Sequence, residues 1–133
     1  MDAKQIHGYF IAENGQYGEI DFLDDLEWLY NFIECSCIDL VYRRIGDFYY
    51  LVIVDDCGAL NGRRITALSH DFKPELCGTI IVTKLDKDGE NYIDLNESEI
   101  KNLKINTILL NTDVISGLML YNVERSFRRG VTD

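Results

Sequence analysis

Residues 48–56, FYYLVIVDD, constrain the fold of this chain more than any other stretch. In an extended backbone Phe48, Tyr50, Val52 and Val54 point to one side while Tyr49, Leu51 and Ile53 point to the other, so both faces are apolar and both need cover. The pattern predicts a central strand with a packed layer on each side. The turn behind it, residues 57–62, carries two glycines and an asparagine, and residues 63–68 follow as a short extended piece. Folding back brings Arg63 and Arg64 towards Asp55 and Asp56. Two readings of that meeting stand side by side: exposed ion pairs worth about 0 to 1 kcal/mol each, or a contact for an anion or a partner protein, the role to which a forked guanidinium is suited.

The elements around this strand follow from local patterns. Residues 6–12 and 17–22 read as strands joined by Glu13-Asn14-Gly15-Gln16, since Asn-Gly supplies the positive φ values that a two-residue hairpin turn requires. Asp21 is placed to cap a helix over about residues 23–34, with Asp24, Asp25 and Glu27 at the end where the helix dipole favours negative charge. Leu23, Leu26, Leu29, Tyr30 and Ile33 make an apolar stripe for the sheet. Trp28, Phe32 and Cys35 make a second stripe on nearly the opposite side, to be covered by the C-terminal segment or by another chain. Residues 38–43 alternate as a strand, residues 69–75 with Pro74 read as a loop, and residues 76–84 (LCGTIIVTK) read as one β-branched strand.

Composition bounds the function. The chain has 133 residues, 47% of them apolar, enough for one domain with one core. Twenty-three acids against 13 bases give a net charge of −10, which excludes direct nucleic-acid binding through clustered Lys and Arg. Residues 1–42 hold nine acids and only Lys4 as a base, whereas Arg125, Arg128 and Arg129 make the C-terminal end basic. An acidic surface aids solubility and can also imitate a nucleic-acid backbone. No window approaches ~18 apolar residues and no signal peptide is evident, so a soluble, cytoplasmic protein without membrane contact is expected. In that compartment Cys35, Cys37, Cys57 and Cys77 are expected as reduced, mostly buried thiols, and their spacing lacks the paired knuckles of a zinc site.

Candidates for chemistry are few. Asp86, Asp88, Glu90, Asp94 and Glu97 fall at positions 1, 3, 5, 9 and 12 of a calcium-binding loop, with Ile93 at the apolar eighth position. Asn91 stands where that loop needs glycine, however, and the preceding segment reads as a strand instead of an entering helix. Locally, DKDG reads as a turn, residues 92–95 as extended chain, and Asn96 with Glu99 as a capping box opening a helix over about residues 97–104. His7 has no catalytic partner at a defined spacing. Cys57, His70 and Asp71 are the residue types of a thiol protease without its pocket or oxyanion donors. No cofactor is implied. Residues 105–111 alternate like a strand. Beyond them Thr112 and Asp113 offer a cap for a largely covered helix that ends near Arg129, with a strand over residues 118–123 as the alternative.

The run LDDLEWLYNFIECSCIDLVY, LVIVDDCGALNG, RRITAL, LCGTIIVTK and LNESEIKNL resembles, over about residues 8–104, the domain-of-unknown-function family 3846. In that resemblance Gly58 and Asn61-Gly62 correspond to the family's turn, Arg64 to its arginine, and Gly78-Thr79 to its late Gly-Thr strand; Arg63 stands where the family usually has asparagine. The resemblance implies an accessory protein of a phage, plasmid or other mobile element, and no reaction.

The expected fold is α+β: an antiparallel-rich sheet of about five strands with a helix on one face, as a core of residues 1–104 with a C-terminal extension, 105–133, packed outside it. The expected function is non-enzymatic binding of a host protein, with counter-defence or DNA mimicry as specific forms, or self-assembly, through Trp28, Phe32, Arg63 and Arg64. The alternative is a calcium, small-anion or nucleotide binder.

Overall fold

The computed structural model of the chain describes residues 3–126. In chain order it contains β1 (Gln5–Ile11), β2 (Tyr17–Leu23), α1 (Leu26–Ile33), β3 (Ile38–Ile45), β4 (Phe48–Asp55), β5 (Ile65–Leu68) and β6 (Pro74–Cys77). There follow β7 (Ile80–Leu85), β8 (Tyr92–Ile93), α2 (Glu97–Ile105), β9 (Thr107–Asn111), β10 (Ser116–Leu120) and β11 (Val123–Arg125). Seven strands form one antiparallel sheet in the order β11-β3-β4-β7-β1-β2, with β8 pairing on β7. A second sheet has the order β6-β5-β10-β9, in which only the β5–β10 pairing is parallel. The α+β class is as expected; the sheet is larger than the five strands anticipated, and a second sheet joins it.

β4 lies between β3 and β7 and uses both of its faces. Tyr50, Val52 and Val54 enter a core shared with Ala67 and Leu76 of the second sheet, Leu120 of β10, and Ile100 and Leu103 of α2. Ile53 points the other way, into a smaller core under α1 with Leu29, Ile33, Phe22 and Ile81. Each such buried aliphatic side chain contributes about 1.5 to 3 kcal/mol. The period-2 alternation of residues 48–54 therefore decides which layer each side chain meets.

Three local expectations change. The helix begins later, because Asp21 is occupied in β2 opposite His7 and it is Asp25 that caps, its carboxylate accepting the Trp28 N–H at 2.9 Å. Residues 76–84 are two strands: the chain turns at Gly78 (φ 81°), leaving β6 in the second sheet and starting β7 in the first. Pro74, expected in a loop, begins β6 at a sheet edge, where its missing N–H costs no ladder bond.

The C-terminal helix expected from residue 112 onward is instead β10 and β11 within the described residues, the expectation's last part (Phe127 to Arg129) lying outside them. Met119 and Leu120 are both fully buried although adjacent. A strand between two covered faces buries consecutive residues in that way, and the same composition also fills a helical wheel. The left-handed Asn122 (φ 62°) then carries the chain from the second sheet to β3 of the first. Residues 105–125 are thus woven into both sheets, and among the described residues they do not form the cover over Trp28 and Phe32.

Candidate functional site

Arg63 and Arg64 follow the 57–62 turn, as expected, but the structure gives them different tasks. Arg63 spans the surface: Nη1 donates to Glu13 Oε1 at 3.2 Å, Nη2 donates to the carbonyl of Glu34 at the end of α1, and Nε lies 3.4 Å from Asp55 Oδ2. That last oxygen is buried and accepts no hydrogen bond, so charge alone holds it. Asp56 is exposed.

Arg64 turns inward and spends its guanidinium on backbone. Nε donates to Glu13 O at 2.9 Å, Nη2 to Ala12 O at 3.1 Å and Leu118 O at 3.2 Å, and Nη1 to Leu118 O at 3.2 Å. Its own N–H donates to Glu13 Oε2 at 2.8 Å. One side chain thus ties the end of β1 in the first sheet to β10 in the second. Gly117 permits this: a Cβ there would stand 2.5 Å from Arg64 Nη1, and its φ is +116°. Thr79, next to the sheet-switching Gly78, accepts the Glu13 N–H at 3.0 Å. Such a satisfied guanidinium has no donor left for an external anion.

Trp28 and Phe32 stack with ring centroids 5.1 Å apart and 6° between planes, and Phe32 meets Phe10 edge-on at 5.6 Å. Both are half-buried against the core under α1 that also takes Leu29 and Ile33. The helix is therefore rolled relative to the stripe expected from its wheel, and Leu26 is the residue left outside, 57% exposed. Beside Phe32 lies an open groove of about 340 Å³ with Phe10, Glu13 and Glu34 in its walls. Arg63 bonds to both of those glutamates' residues, so Phe32 and Arg63 share one rim. The turn residue Leu60 is 89% exposed.

The acidic run 86–97 folds as the local reading has it. Asp86 accepts its own loop, from the N–H of Glu90 at 3.0 Å and from Asn91 Nδ2 at 3.0 Å, and the Glu90 N–H bond is the chief reason its carboxyl sits below the usual range. Asp94 Oδ1 accepts the His7 N–H at 2.8 Å, and Asn96 and Glu99 close the expected capping box. Asp88, Glu90 and Glu97 are exposed. Among the described residues no three acidic, histidine or cysteine side chains are placed to hold a metal ion.

A cluster not anticipated from sequence surrounds His7. Its Nδ1 lies 2.6 Å from Asp21 Oδ1 and its Nε2 2.9 Å from Glu19 Oε1, while Lys104 Nζ of α2 reaches Glu19 Oε2 at 2.9 Å. The Asp21 bond, then that of Glu19, raise the His7 pKa above its ordinary 6.5. Lys104, then His7, lower that of Glu19. His7, Glu19 and Lys104 edge a groove of about 480 Å³ that also has Lys101, Asn96 and Glu97 in its wall. The signal was present in the Asn14-Gly15 turn, whose register sets His7 opposite Asp21.

Elsewhere, His70 turns to Glu124 and Asp71 to Ser69, so neither is directed at Cys57, whose N–H donates to Asp55. All four cysteines are unpaired; Cys37 and Cys57 are exposed and Cys35 and Cys77 half-buried, which corrects the expectation of mostly buried thiols. Lys84 and Glu99 form a buried ion pair at 2.9 Å, and Tyr50, whose hydroxyl donates to Glu99 O, has its pKa raised chiefly by burial.

The profile of a family described as a domain of unknown function (DUF3846) matches residues 6–108. The chain belongs to the DUF3846 family. No curated protein and no solved structure matches it. The match runs from β1 into β9 and so includes the Arg64 side of the junction but not β10, whose carbonyls Arg64 holds. The residues that carry the sequence resemblance, Gly58, Asn61-Gly62, Arg64 and Gly78-Thr79, gather around this junction or in the turn leading to it. Among the described residues no helix is long and apolar enough to cross a membrane.

Proposed function

We propose that this DUF3846 protein acts without catalysis, by binding another protein through the face that carries Trp28 and Phe32. The observation that carries the reading is the stacked Trp28–Phe32 pair, half-exposed beside the 340 Å³ groove, with Arg63 on the same rim. Aromatic and arginine side chains in such a setting are the residue types that dominate protein interfaces. Exposed Asp24, Asp25 and Glu27 give α1, the helix of both rings, a negatively charged start. That charge favours a basic partner, which includes host proteins whose natural ligand is nucleic acid. The mobile-element setting implied by the family resemblance makes the bacterial cytoplasm the place to look, and counter-defence the specific form.

The test is capture of host proteins on the purified chain, followed by reconstitution with the recovered partner. Trp28→Ala is expected to weaken that binding at least about tenfold while leaving the far-ultraviolet spectrum unchanged. Undiminished binding by both Trp28→Ala and Phe32→Ala defeats the reading. A second reading, a small-anion site such as one for a nucleotide phosphate, rests on the Lys101 ammonium in the wall of the His7 groove, which Glu19 and Glu97 also line. Calorimetry with phosphate and with nucleotides decides it: absence of heat at millimolar ligand removes it.

A further inference from the structure

A sheet has two edges, and each is a row of unpaired peptide groups that invites another strand. Among the described residues, three of the four strands that end the two sheet orders carry the devices that discourage pairing. β2 has Glu19 and Asp21, β6 begins with Pro74 and Glu75, and β11 has Glu124 and Arg125. The fourth, β9, is Thr107-Ile108-Leu109-Leu110-Asn111, with no charge, no proline and no bulge in its pairing to β10. In a chain of net charge −10, the whole β9–β10 hairpin contains Asp113 as its single charged residue.

The hydrogen bonds fix which peptide groups of β9 are free. Tyr121 N donates to Asn106 O at 2.7 Å and Thr112 N to Ile115 O at 3.0 Å, so residues 106 and 112 face β10. By the alternation of an antiparallel ladder 108 and 110 face it as well, and 107, 109 and 111 turn their N–H and C=O groups to the open side. Among the described residues no strand pairs there. Leu109, at the midpoint, is 74% exposed.

The segment is also its own complement. Read outward from Leu109 it runs apolar then polar in both directions: Leu110 and Asn111 one way, Ile108 and Thr107 the other. We propose that β9 pairs antiparallel with β9 of a second copy of this chain, about a two-fold axis at Leu109, joining two four-stranded sheets into one. In that register Leu109 meets its symmetry mate, Ile108 meets Leu110, and Thr107 meets Asn111, so apolar faces apolar and polar residues stand at the two ends. The outward groups of 107, 109 and 111 satisfy one another. Strand addition of this kind draws its affinity from main-chain hydrogen bonds. The site is separate from the Trp28 face, and either can fail without the other.

Sedimentation equilibrium over about 10 to 500 µM suits the small interface that two short strands provide. The weight-average mass is expected to rise from that of the 15.3 kDa chain towards twice that value. Leu109→Lys sets two ammonium groups face to face on the axis and is expected to weaken association at least about tenfold. Amide exchange on the unsubstituted protein gives a readout independent of any variant's folding: the N–H groups of Thr107, Leu109 and Asn111 slow as concentration rises. A monomer across the whole range overturns the proposal. So does a dimer in which those three amides exchange freely, or one that a folded Leu109→Lys chain forms undiminished.

Discussion

The Arg64 junction and the His7 cluster are both polar groups that bridge distant parts of the chain, and they end in opposite states. At the junction one guanidinium meets the carbonyls of Ala12 and Glu13, just past β1, and of Leu118 in β10, and a glycine opposite leaves it room. At His7 the imidazole is held between two carboxylates on an exposed face, where solvent competes for every partner. Backbone acceptors cannot titrate or move away, so the first arrangement is fixed architecture. Side-chain acceptors on a surface are screened and change with pH, so the second is an adjustable feature of a groove wall. Arginine serves the first because it stays charged and presents a rigid fork; histidine serves the second because its proton comes and goes near neutrality.

The comparison breaks first at Arg64. Arg64→Ala removes the donor to the carbonyls of Glu13 and Leu118, while Ala12 O keeps the Gly15 N–H, and it is expected to cost about 3 kcal/mol in urea unfolding. Arg64→Lys is expected to recover only part of this, since one ammonium cannot reach across both sheets. A loss below about 1 kcal/mol, the range of an exposed ion pair, would return the arginine to the surface-pair reading.

Gly117→Ala comes next, at about 2 kcal/mol for a positive φ and a crowded Cβ. In the Arg64→Ala background the part due to the Nη1 contact disappears, so the double-mutant cycle is expected to show a coupling of about 1 kcal/mol. Strict additivity would mean that Gly117 answers to its backbone angle alone.

Smaller still is the pH effect at the other cluster. The folded His7 pKa is raised above 6.5, so its stabilisation is complete below that value and is lost as pH rises through the folded pKa. His70, raised by Glu124, acts in the same direction. Thermal unfolding is therefore expected to show stability falling from pH 6.5 upward. His7→Gln should remove part of that slope, with an effect below about 1 kcal/mol because the pair is solvent-screened. An unchanged slope would show that the carboxylates do not hold the imidazolium in solution.

The smallest expected effect is at the acidic loop. Titration with calcium to about millimolar should give no heat, since Asp86 is spent on its own turn and Asp94 on β1. Heat with a stoichiometry near one would restore the calcium loop.

Much of the framework was legible in sequence because it is local or periodic. The Asn14-Gly15 hairpin, the two-faced β4, the Asn96 capping box and the meeting of Arg63 with Asp55 all depend on neighbours within a few residues or on a strict period of two. The site was less legible. Sequence placed Trp28 and Phe32 on a separate stripe because it took Leu26, Leu29 and Ile33 together as the sheet-facing side; the roll of α1 leaves Leu26 outside, sets Phe32 on Phe10 and stacks Trp28 on Phe32. His7 passed as isolated because its partners sit across the hairpin, a contact that register sets.

By itself, the sequence determined the alternation of β4, hence the need for two covering layers, and the family to which the chain belongs. Tertiary structure decided what those layers are: a second sheet with α2 on one face and α1 on the other. It also decided that residues 116–120 and 123–125 are strands. The physical reason is that consecutive apolar residues satisfy either a buried helix or a strand enclosed on both sides, and only the presence of β5 and β3 as partners selects between them.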